Sequence, residues 1–360
     1  MRIAQLTLNT YENYGNMLQK FALYYTLKKF ADFVEVIWHC QTTNFPPAEL
    51  EFNRLRVDNV RNIAFRCVKE NKCKEFSDAN IRTRFDVPYI EDIGDEYDFF
   101  VVGSDQVWNP RFEFPGRFLE FAPREKRISY AASIAVADLP DNVREYYRRG
   151  ISEMAHVSIR EQEGCDLVEK ITGKRPIQVL DPVFLMTAKE WRKFSRRPTW
   201  LNQDRYLLTY FFSGNPPASV RTLAARLNLP LINLFDMNNF NHYSTSPDEF
   251  LYLVDNAALI CTESFHGTAF STIFKRPFVL CFRAEEWSIK VFSRINSLLT
   301  MFNLTERAFN ENAPIGIAEP FEINYTRRDE VLPVECAKAF KFLSEALGVE
   351  MREEILGEST

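Results

Sequence analysis

Residues 257–282 of the chain read AALICTESFHGTAFSTIFKRPFVLCF. The apolar runs at 257–261 and 277–282 have the length and composition of two buried parallel strands. Between them, apolar residues recur at helical spacing from Ser264 onward, which predicts a short helix with one buried stripe. The stretch therefore predicts a strand–helix–strand unit, the building block of an α/β sheet.

A polar cluster follows the first of these strands, at its junction with the helix. It contains Thr262, Glu263, Ser264, His266, Gly267 and Thr268. In an open α/β sheet ligands bind at this carboxyl edge, and the amides and dipole of a helix start favour an anion such as phosphate. His266 adds a side chain that changes charge near neutral pH. We expect a binding site here, against the alternative that the histidine only hydrogen-bonds a loop.

Length, charge and cysteine usage narrow the class of protein. A chain of 360 residues exceeds the usual size of a single core and predicts two domains. A net charge of -5 argues against bulk binding of nucleic acid. The seven cysteines are scattered and odd in number, so we expect free thiols. Neither a signal peptide nor an apolar run of about 18 residues is present, so we expect a cytoplasmic protein.

The first strand-to-helix loop, residues 9–16, reads NTYENYGN. Its donors and acceptors suit the hydroxyls of a sugar. The candidate binding residues are Asn13, Tyr14, Gly15 and Asn16. Ordinary helix capping and turn formation is the competing interpretation.

A third polar cluster, GSDQVWNP at 103–110, ends the strand predicted at 99–102. Gly103 permits close approach of the backbone, Ser104 and Asp105 can serve hydroxyl groups, and Trp108 offers a flat face for a sugar ring. An Asx-type turn that ends the strand is the alternative.

Arg160 follows the short strand predicted at 157–159 and comes just before a helix start. Arginine at such a junction is a good bidentate partner for carboxylate or phosphate. A surface ion pair explains the same pattern.

The order of the predicted elements indicates how the chain divides. Residues 1–198 are predicted to form an N-terminal Rossmann-like domain with a helical insertion at about 49–84. Residues 199–360 alternate strands and helices more regularly and predict a second doubly wound parallel sheet. The last helix, near 334–347, could pack on either domain.

Taken together, the clusters resemble the polysaccharide pyruvyl transferase family. The matching segments, in family order, are NYGNMLQKFAL, DFFVVGSDQVWNP, RISYAASIA, HVSIREQEG with VLDPVFL, and LICTESFHGTAFSTIFKRPFV. The resemblance implies two Rossmann-like domains facing a central cleft, as in the GT-B glycosyltransferases. It also implies transfer of a pyruvyl group from phosphoenolpyruvate to hydroxyls of a saccharide, which releases phosphate and leaves a ketal.

The resemblance also assigns roles to residues. The family's histidine falls on His266, as a general acid or base, and its strand-end arginine falls on Arg160. Some relatives carry arginine where this chain has Ser264, so other cations must compensate for the anionic donor. The candidates besides Arg160 are Arg283, Lys290 and Arg294.

Partners and cofactors follow from the same resemblance. The first domain would hold the saccharide acceptor, free or lipid-linked, and the second would hold phosphoenolpyruvate. We expect no nucleic acid, no further cofactor, and peripheral contact with the cytoplasmic face of the membrane. No metal is expected, because the four histidines are far apart and lack ligand partners at metal spacing. They are His39, His156, His242 and His266.

Two rival functions stay open at this point. A GT-B glycosyltransferase would use a nucleotide-sugar; Glu311 and Glu319 have the gap of one such signature, but Pro314 interrupts any helix between them. The second rival is a saccharide-binding relative that has lost catalysis. It is suggested by Ser264, which stands where some relatives carry arginine.

Overall fold

The computed structural model describes residues 1–38, 60–87, 89–282 and 295–349. The strands are β1 (Arg2–Leu6), β2 (Phe33–Ile37), β3 (Thr83–Arg84), β4 (Phe99–Asp105), β5 (Arg127–Ala132), β6 (His156–Ile159), β7 (Ile177–Gln178), β8 (Leu207–Tyr210), β9 (Leu231–Asn233), β10 (Leu259–Thr262), β11 (Phe278–Phe282) and β12 (Ala308–Asn310). The α-helices are α1 (Tyr14–Leu27), α2 (Val60–Asn80), α3 (Asp141–Ser152), α4 (Gln162–Thr172), α5 (Ala188–Arg192), α6 (Ala218–Arg226), α7 (Phe240–Tyr243), α8 (Pro247–Asn256), α9 (Phe265–Ile273), α10 (295–302) and α11 (Thr326–Leu347). Short 3₁₀ turns cover Ile90–Ile93, Arg124–Lys126, Pro182–Leu185 and Thr305–Arg307.

The first sheet is parallel and has the order β3-β2-β1-β4-β5-β6-β7. Its central strands are apolar and buried on both faces, as a parallel sheet covered by helices requires. The order reverses between β1 and β4, where Leu6 pairs with Val102. Such a switch point opens a crevice at the carboxyl ends of the two strands. The loop before α1 and the end of β4 both lie there.

The second sheet is also parallel and has the order β12-β11-β10-β8-β9. Its order reverses between β8 and β10, where Tyr210 pairs with Thr262. The start of α9, which carries His266, lies directly after β10. Each sheet therefore places its switch point beside one of the polar clusters that the sequence predicts.

Helix α1 joins the two halves. Tyr14, at its first position, stacks on Phe250 of α8 with ring centroids 4.7 Å apart. Its hydroxyl donates to the carbonyl of Thr245 at 2.8 Å. Further along α1, Phe21 contacts Trp191, whose ring lies 5.0 Å from that of Phe270 in α9. The halves thus share a continuous apolar core around α1.

The last helix packs against the first half as well as the second. The ring centroids of Phe340 and Phe30 lie 6.4 Å apart, and so do those of Phe342 and Tyr130. The thiol of Cys336 donates to the carbonyl of Phe184 in the connecting segment. Helix α11 therefore returns from the second sheet and contacts elements of both halves.

The predicted α/β class is confirmed, with two Rossmann-like halves facing each other in a GT-B-like arrangement. The first sheet ends at Gln178 and the second begins at Leu207, so the predicted boundary at 198/199 falls between them. The edge strands β3 and β12 were not predicted, because two or three residues carry no measurable alternation. Part of the predicted insertion is helix α2; residues 49–59 lie outside the described ranges.

Candidate active site

The loop before α1 and the start of α9 meet where the halves join. The hydroxyl of Tyr210, at the end of β8, donates to Oδ1 of Asn13, 3.2 Å away. The same Oδ1 accepts from the amide of Asn16 and caps α1. Gly15 lies against the imidazole of His266 so closely that a Cβ there would come 2.2 Å from Nδ1. The two switch points therefore form one joint surface.

Asp181, which follows β7, connects the side chains on the two sides of this joint. Its Oδ2 accepts from Nη1 of Arg160 at 2.8 Å and from the hydroxyl of Ser104 at 3.2 Å. Nε2 of His266 lies 3.6 Å from the same oxygen. Its Oδ1 accepts from the amide of Val183 and caps the 3₁₀ turn Pro182–Leu185. One buried carboxylate thus holds both candidate catalytic side chains.

The charges around Asp181 keep it ionised. Burial alone would raise its pKa, but the nearby imidazole of His266 and the guanidinium of Arg160 lower the pKa of Asp181 below its ordinary value. The pKa of Arg160 is raised despite burial, because Asp181, Asp105 and Glu161 all stabilise its charge. The cluster therefore contains a buried ion pair between Arg160 and Asp181.

The guanidinium of Arg160 presents one edge without hydrogen-bond partners. The residue is 6 % exposed, and neither Nε nor Nη2 makes a hydrogen bond to any described residue. The nearest carboxylate oxygens are those of Glu161, 3.7 Å from Nε, and Asp105, 3.9 Å from Nη2. The ring of Phe265 lies 4.4 Å from the guanidinium carbon. Nε and Nη2 form the edge that binds a carboxylate or phosphate bidentately, so this edge is suited to an anionic ligand.

The side chain of His266 is also buried and also has a ring nitrogen without a hydrogen-bond partner among the described residues. It is 6 % exposed, and its Nε2 has no hydrogen-bond partner among the described residues, since Asp181 lies beyond hydrogen-bonding distance. Buried polar atoms are normally satisfied, so unpaired atoms on His266 and Arg160 indicate a place for a ligand or water.

The carboxylates around Arg160 are fixed by neighbouring strands. Oε1 of Glu161 accepts from the hydroxyl of Ser133 and the amide of Ile134, at 2.9 and 3.0 Å. Asp105 has a positive φ of 65° and accepts from Nδ2 of Asn16 at 3.3 Å. Asn16, Asp105, Arg160 and His266 are thereby brought into one network, together with Asn13 and Gly15.

The start of α9 differs from the sequence-based prediction. The amide of Gly267 donates to Oγ of Ser264, its N-cap, and is therefore not free for phosphate. Thr268 is fully buried and its hydroxyl donates to the carbonyl of Ser264. Glu263 accepts from the amide of Phe212 at 2.6 Å. Ser264, Gly267 and Thr268 thus complete the helix start, whereas Nε2 of His266 has no hydrogen-bond partner among the described residues.

Several predicted binding residues are structural. Trp108 is fully buried, contacts Phe118, and donates from Nε1 to the carbonyl of Arg117 at 2.7 Å, so it cannot offer a face to a sugar ring. Tyr14 is fully buried in the joint between the halves. Prediction of both as binding residues is wrong, because burial was not visible in the sequence.

Gly103 and Ser104 lie beneath the site. A Cβ on Gly103 would meet the carbonyl oxygen of Tyr130 at 2.0 Å, and the peptide between the two residues is cis. Ser104 is fully buried and supports Asp181 through its hydroxyl. Lys290 lies outside the described residues, as do Arg283 and Arg294.

Sequence reasoning missed two residues of the site, Asp181 and Tyr210. Asp181 lies in the VLDPVFL segment of the family resemblance, but neither that resemblance nor the residue pattern assigns it a role. Tyr210 belongs to the apolar run of β8, which gives no sign of a polar role. Its hydroxyl reaches Asn13 only because the two halves of the molecule face each other.

The described residues contain neither a metal-ligand cluster nor a membrane-spanning helix. Over residues 1–38, 60–87, 89–282 and 295–349, no group of three or more His, Cys, Asp or Glu side chains is arranged to hold a metal ion. No helix in these ranges combines the length and apolarity needed to cross a bilayer. Residues 311–325 contain no helix, so Glu311 and Glu319 do not share a helical surface.

The fold and the site define an α/β protein with two Rossmann-like halves and a polar cluster at their facing switch points. The family model described as polysaccharide pyruvyl transferase matches residues 13–283, and the chain belongs to this family. The match spans every residue of the cluster from Asn13 to His266.

Other comparisons give weaker similarities. The chain is similar to the UDP-GlcNAc 2-epimerase from Methanocaldococcus jannaschii, at 13% identity and a TM-score of 0.47, covering 92% of this chain and 98% of that chain. The UDP-N-acetylglucosamine 2-epimerase from Rickettsia bellii gives 11% identity and a TM-score of 0.44, with 97% of each chain covered. ADP-heptose lps heptosyltransferase II of E. coli gives 12% identity and a TM-score of 0.39, covering 94% of this chain and 99% of that chain. No curated protein matches the chain in sequence.

Proposed function

We propose that the protein transfers a pyruvyl group from phosphoenolpyruvate to two hydroxyls of a saccharide. The observation that carries this proposal is the buried edge of Arg160, without hydrogen-bond partners, beside the unpaired Nε2 of His266. An anion-binding edge and a proton-transfer group in one site suit a reaction in which an anionic enol ester gains a proton and the attacking hydroxyls lose theirs.

The proposed chemistry balances as follows. One hydroxyl oxygen gives up its proton to a base and bonds to C2 of phosphoenolpyruvate, while the double bond between C2 and the methylene carbon opens and that carbon gains a proton to become a methyl group. The second hydroxyl oxygen then bonds to C2 while the phosphate leaves, and its proton is taken by a base or by phosphate. The products are a cyclic ketal with a free carboxylate and inorganic phosphate.

His266 is the residue that we assign to proton transfer. Its Nδ1 side lies against Gly15, and its Nε2 faces Asp181 and is free of hydrogen bonds. Asp181 is a positioning residue, because it orients both His266 and Arg160 without an oxygen left over for a substrate. Glu161 retains an unpaired Oε2 and is the second candidate for a proton-transfer step.

Arg160 is assigned to an anionic oxygen of the donor. Asp105, Glu161 and Asp181 surround it, so the cluster without ligand holds more carboxylates than cations. The donor therefore requires further positive charge. Lys290, with Arg283 and Arg294, remains our proposal for that charge.

The acceptor is assigned to the side of the first half. Asn13 and Asp105 supply amide and carboxylate oxygens at the edge of that sheet, and Asn16 donates to Asp105. We propose that a free or lipid-linked saccharide binds there. We also propose that the protein acts in the cytoplasm, in peripheral contact with the cytoplasmic face of the membrane.

The test combines the purified protein with phosphoenolpyruvate and a panel of free and lipid-linked galactosides. Phosphate release that depends on the acceptor, with a product of the mass of a pyruvyl ketal, is the expected result. Arg160→Lys keeps the charge but loses the bidentate edge, so it should raise the KM for phosphoenolpyruvate. His156→Ala is the matched control, since His156 lies beside Phe342 and away from the cluster.

Two results would contradict the proposal. Turnover of a nucleotide-sugar in place of phosphoenolpyruvate would indicate a glycosyltransferase. Binding of saccharide without any binding of phosphoenolpyruvate would indicate a protein without this catalysis.

The same assay tests whether the activity is independent of metal ions. Loss of activity with a chelator and its recovery with one divalent ion would refute metal independence.

A further inference from the structure

A cavity lies apart from the Asp181 cluster. It has a volume of about 560 Å³ and is bounded by residues 184–193 of the connecting segment, 273–275 at the end of α9, and 328–340 of α11. None of Arg160, Asp181 or His266 lines it. Its volume falls within the range of about 300 to 1,000 Å³ that is usual for sites of small ligands.

The inner wall of this cavity is apolar. It includes Phe184 and Leu185 from the connecting segment, Ile273 from α9, and Leu332 and Phe340 from α11. These residues come from three elements that are distant in sequence. A ligand with a hydrophobic chain or ring would bury apolar surface against all three at once.

The remaining lining is strongly cationic. Lys275 and Arg328 already share the carboxylate of Asp329. Among the described residues, neither Lys189 nor Lys193 has an ion-pair partner, although both line the cavity. Nε of Arg328 is buried there without a hydrogen-bond partner.

The one carboxylate in the lining is already occupied. Glu190 accepts from the amide and hydroxyl of Thr187, and from Nζ of Lys29 at 3.1 Å. It therefore does not neutralise the two free lysines, and the cavity has an excess of positive charge beside an apolar wall.

We propose that this cavity binds an amphipathic anion, a phosphate monoester or carboxylate attached to a hydrophobic chain. The anionic group lies among Lys189, Lys193 and Arg328, and the chain lies against Phe184 and Leu332. Charge complementarity supplies the head-group contacts, and burial of the chain supplies most of the remaining affinity.

The same cavity is linked to the Asp181 cluster through two elements. The 3₁₀ turn Pro182–Leu185 begins at the residue after Asp181, and its far end lines the cavity. Helix α9 carries His266 in its first turn and reaches the cavity at Ile273, its last residue. Each residue between them adds about 1.5 Å along the helix axis. Occupancy therefore bears on the two elements that hold Asp181 and His266, and it changes the affinity of the cluster for its ligand.

The binding test uses isothermal titration calorimetry with octyl phosphate, octanol and inorganic phosphate as separate probes. Octyl phosphate should bind at least about tenfold more tightly than either of the other two, because only it has both parts. The double variant Lys189→Glu/Lys193→Glu should weaken that binding by about tenfold or more, and Leu332→Trp should do so by filling the cavity. Lys341→Glu is the matched control, since Lys341 is exposed on α11 outside the cavity.

Absence of octyl phosphate binding, or binding that both cavity variants leave unchanged, would overturn the site. Vesicles containing phosphatidic acid separate two sources of the ligand. Competition with octyl phosphate would support a membrane lipid, and lack of competition would support a soluble anion.

The linkage to the cluster has its own measurement, the dissociation constant for phosphoenolpyruvate with and without saturating octyl phosphate. A change of about threefold or more supports it, and an unchanged constant refutes it while the binding site stands. Titration of octyl phosphate does not depend on pyruvyl transfer, so failure of the proposed activity would be seen separately.

Discussion

Gly15 of the first half lies against His266 of the second, and a Cβ on Gly15 would come 2.2 Å from Nδ1 of the imidazole. Glycine inside a helix costs about 1 kcal/mol relative to alanine, and Gly15 is the second residue of α1. The absence of a side chain there allows α1 and α9 to approach each other. The position of His266 thus depends on a residue more than 200 positions earlier in the sequence.

We expect Gly15→Ala to lower kcat by about 10², since misplacement of a catalytic group by about 1 Å has effects of that size. The new methyl group would overlap the imidazole and force His266 or the joint to move. Steady-state kinetics with an acceptor identified from the galactoside panel would measure the loss. Gly316→Ala is the matched control, because nothing lies within 4 Å of the position of its added Cβ. Normal turnover of Gly15→Ala would mean that the imidazole moves without consequence.

We expect His266→Ala to lower kcat by about 10² to 10⁴, the usual value of general acid or base assistance. The side chain of His266 is only 6 % exposed, so it also contributes to packing. Truncation should therefore lower the Tm as well, and His266→Asn provides a smaller change of volume. Circular dichroism checks that both variants are folded. Near-normal kcat in a folded His266→Asn variant would transfer the proton-transfer role to Glu161.

The sequence was sufficient to predict the alternation of strands and helices, because buried parallel strands are continuous apolar runs. It also located His266, Arg160 and Asp105, since polar residues directly after such strands lie at a sheet edge. Whether the carboxyl edges of the two sheets face each other is not determined by any local stretch of sequence. It follows from the packing of Tyr14 on Phe250, which the spacing of residues does not encode.

The same limit explains the residues that were predicted wrongly or missed. Trp108 comes three residues after Asp105, the last residue of β4, yet its ring packs in the core beside Phe118. Asp181 has its role because Ser104, Arg160 and His266 converge on it from positions far apart in the chain. Convergence of this kind requires the tertiary structure.

We expect Asp181→Asn to destabilise the protein by about 3 to 5 kcal/mol near neutral pH, the usual cost of breaking a buried ion pair. The variant replaces the carboxylate closest to Arg160 with a neutral amide, and chemical denaturation measures the difference. Asp329→Asn is a control, because its ion pairs with Lys275 and Arg328 are partly exposed.

The effect of Asp181 should also depend on pH, in a direction that its pKa fixes. The folded pKa lies below the ordinary value of 3.8, so the stabilising contribution is fully present above that value and is lost as pH falls below it. The gap in stability between wild type and Asp181→Asn should therefore narrow in acid, below about pH 4. A gap that stays constant down to the acid limit of the folded state would refute ionised Asp181.

We expect Lys20→Met to change the pH dependence of stability at alkaline pH. Lys20 is fully buried in α1, its Nζ donates to Asn9 at 3.3 Å, and burial lowers its pKa to about 7 from 10.5. The unfolded chain holds this proton more tightly, so wild-type stability rises with pH between about 7 and 10.5. Lys20→Met removes that rise, and its advantage over wild type should be largest near pH 7 and shrink toward pH 10. Urea unfolding across this range measures the slope, and Lys28→Met, an exposed lysine at the end of the same helix, should keep the wild-type slope. Equal slopes for wild type and Lys20→Met would show that Lys20 keeps its proton in the folded protein throughout this range.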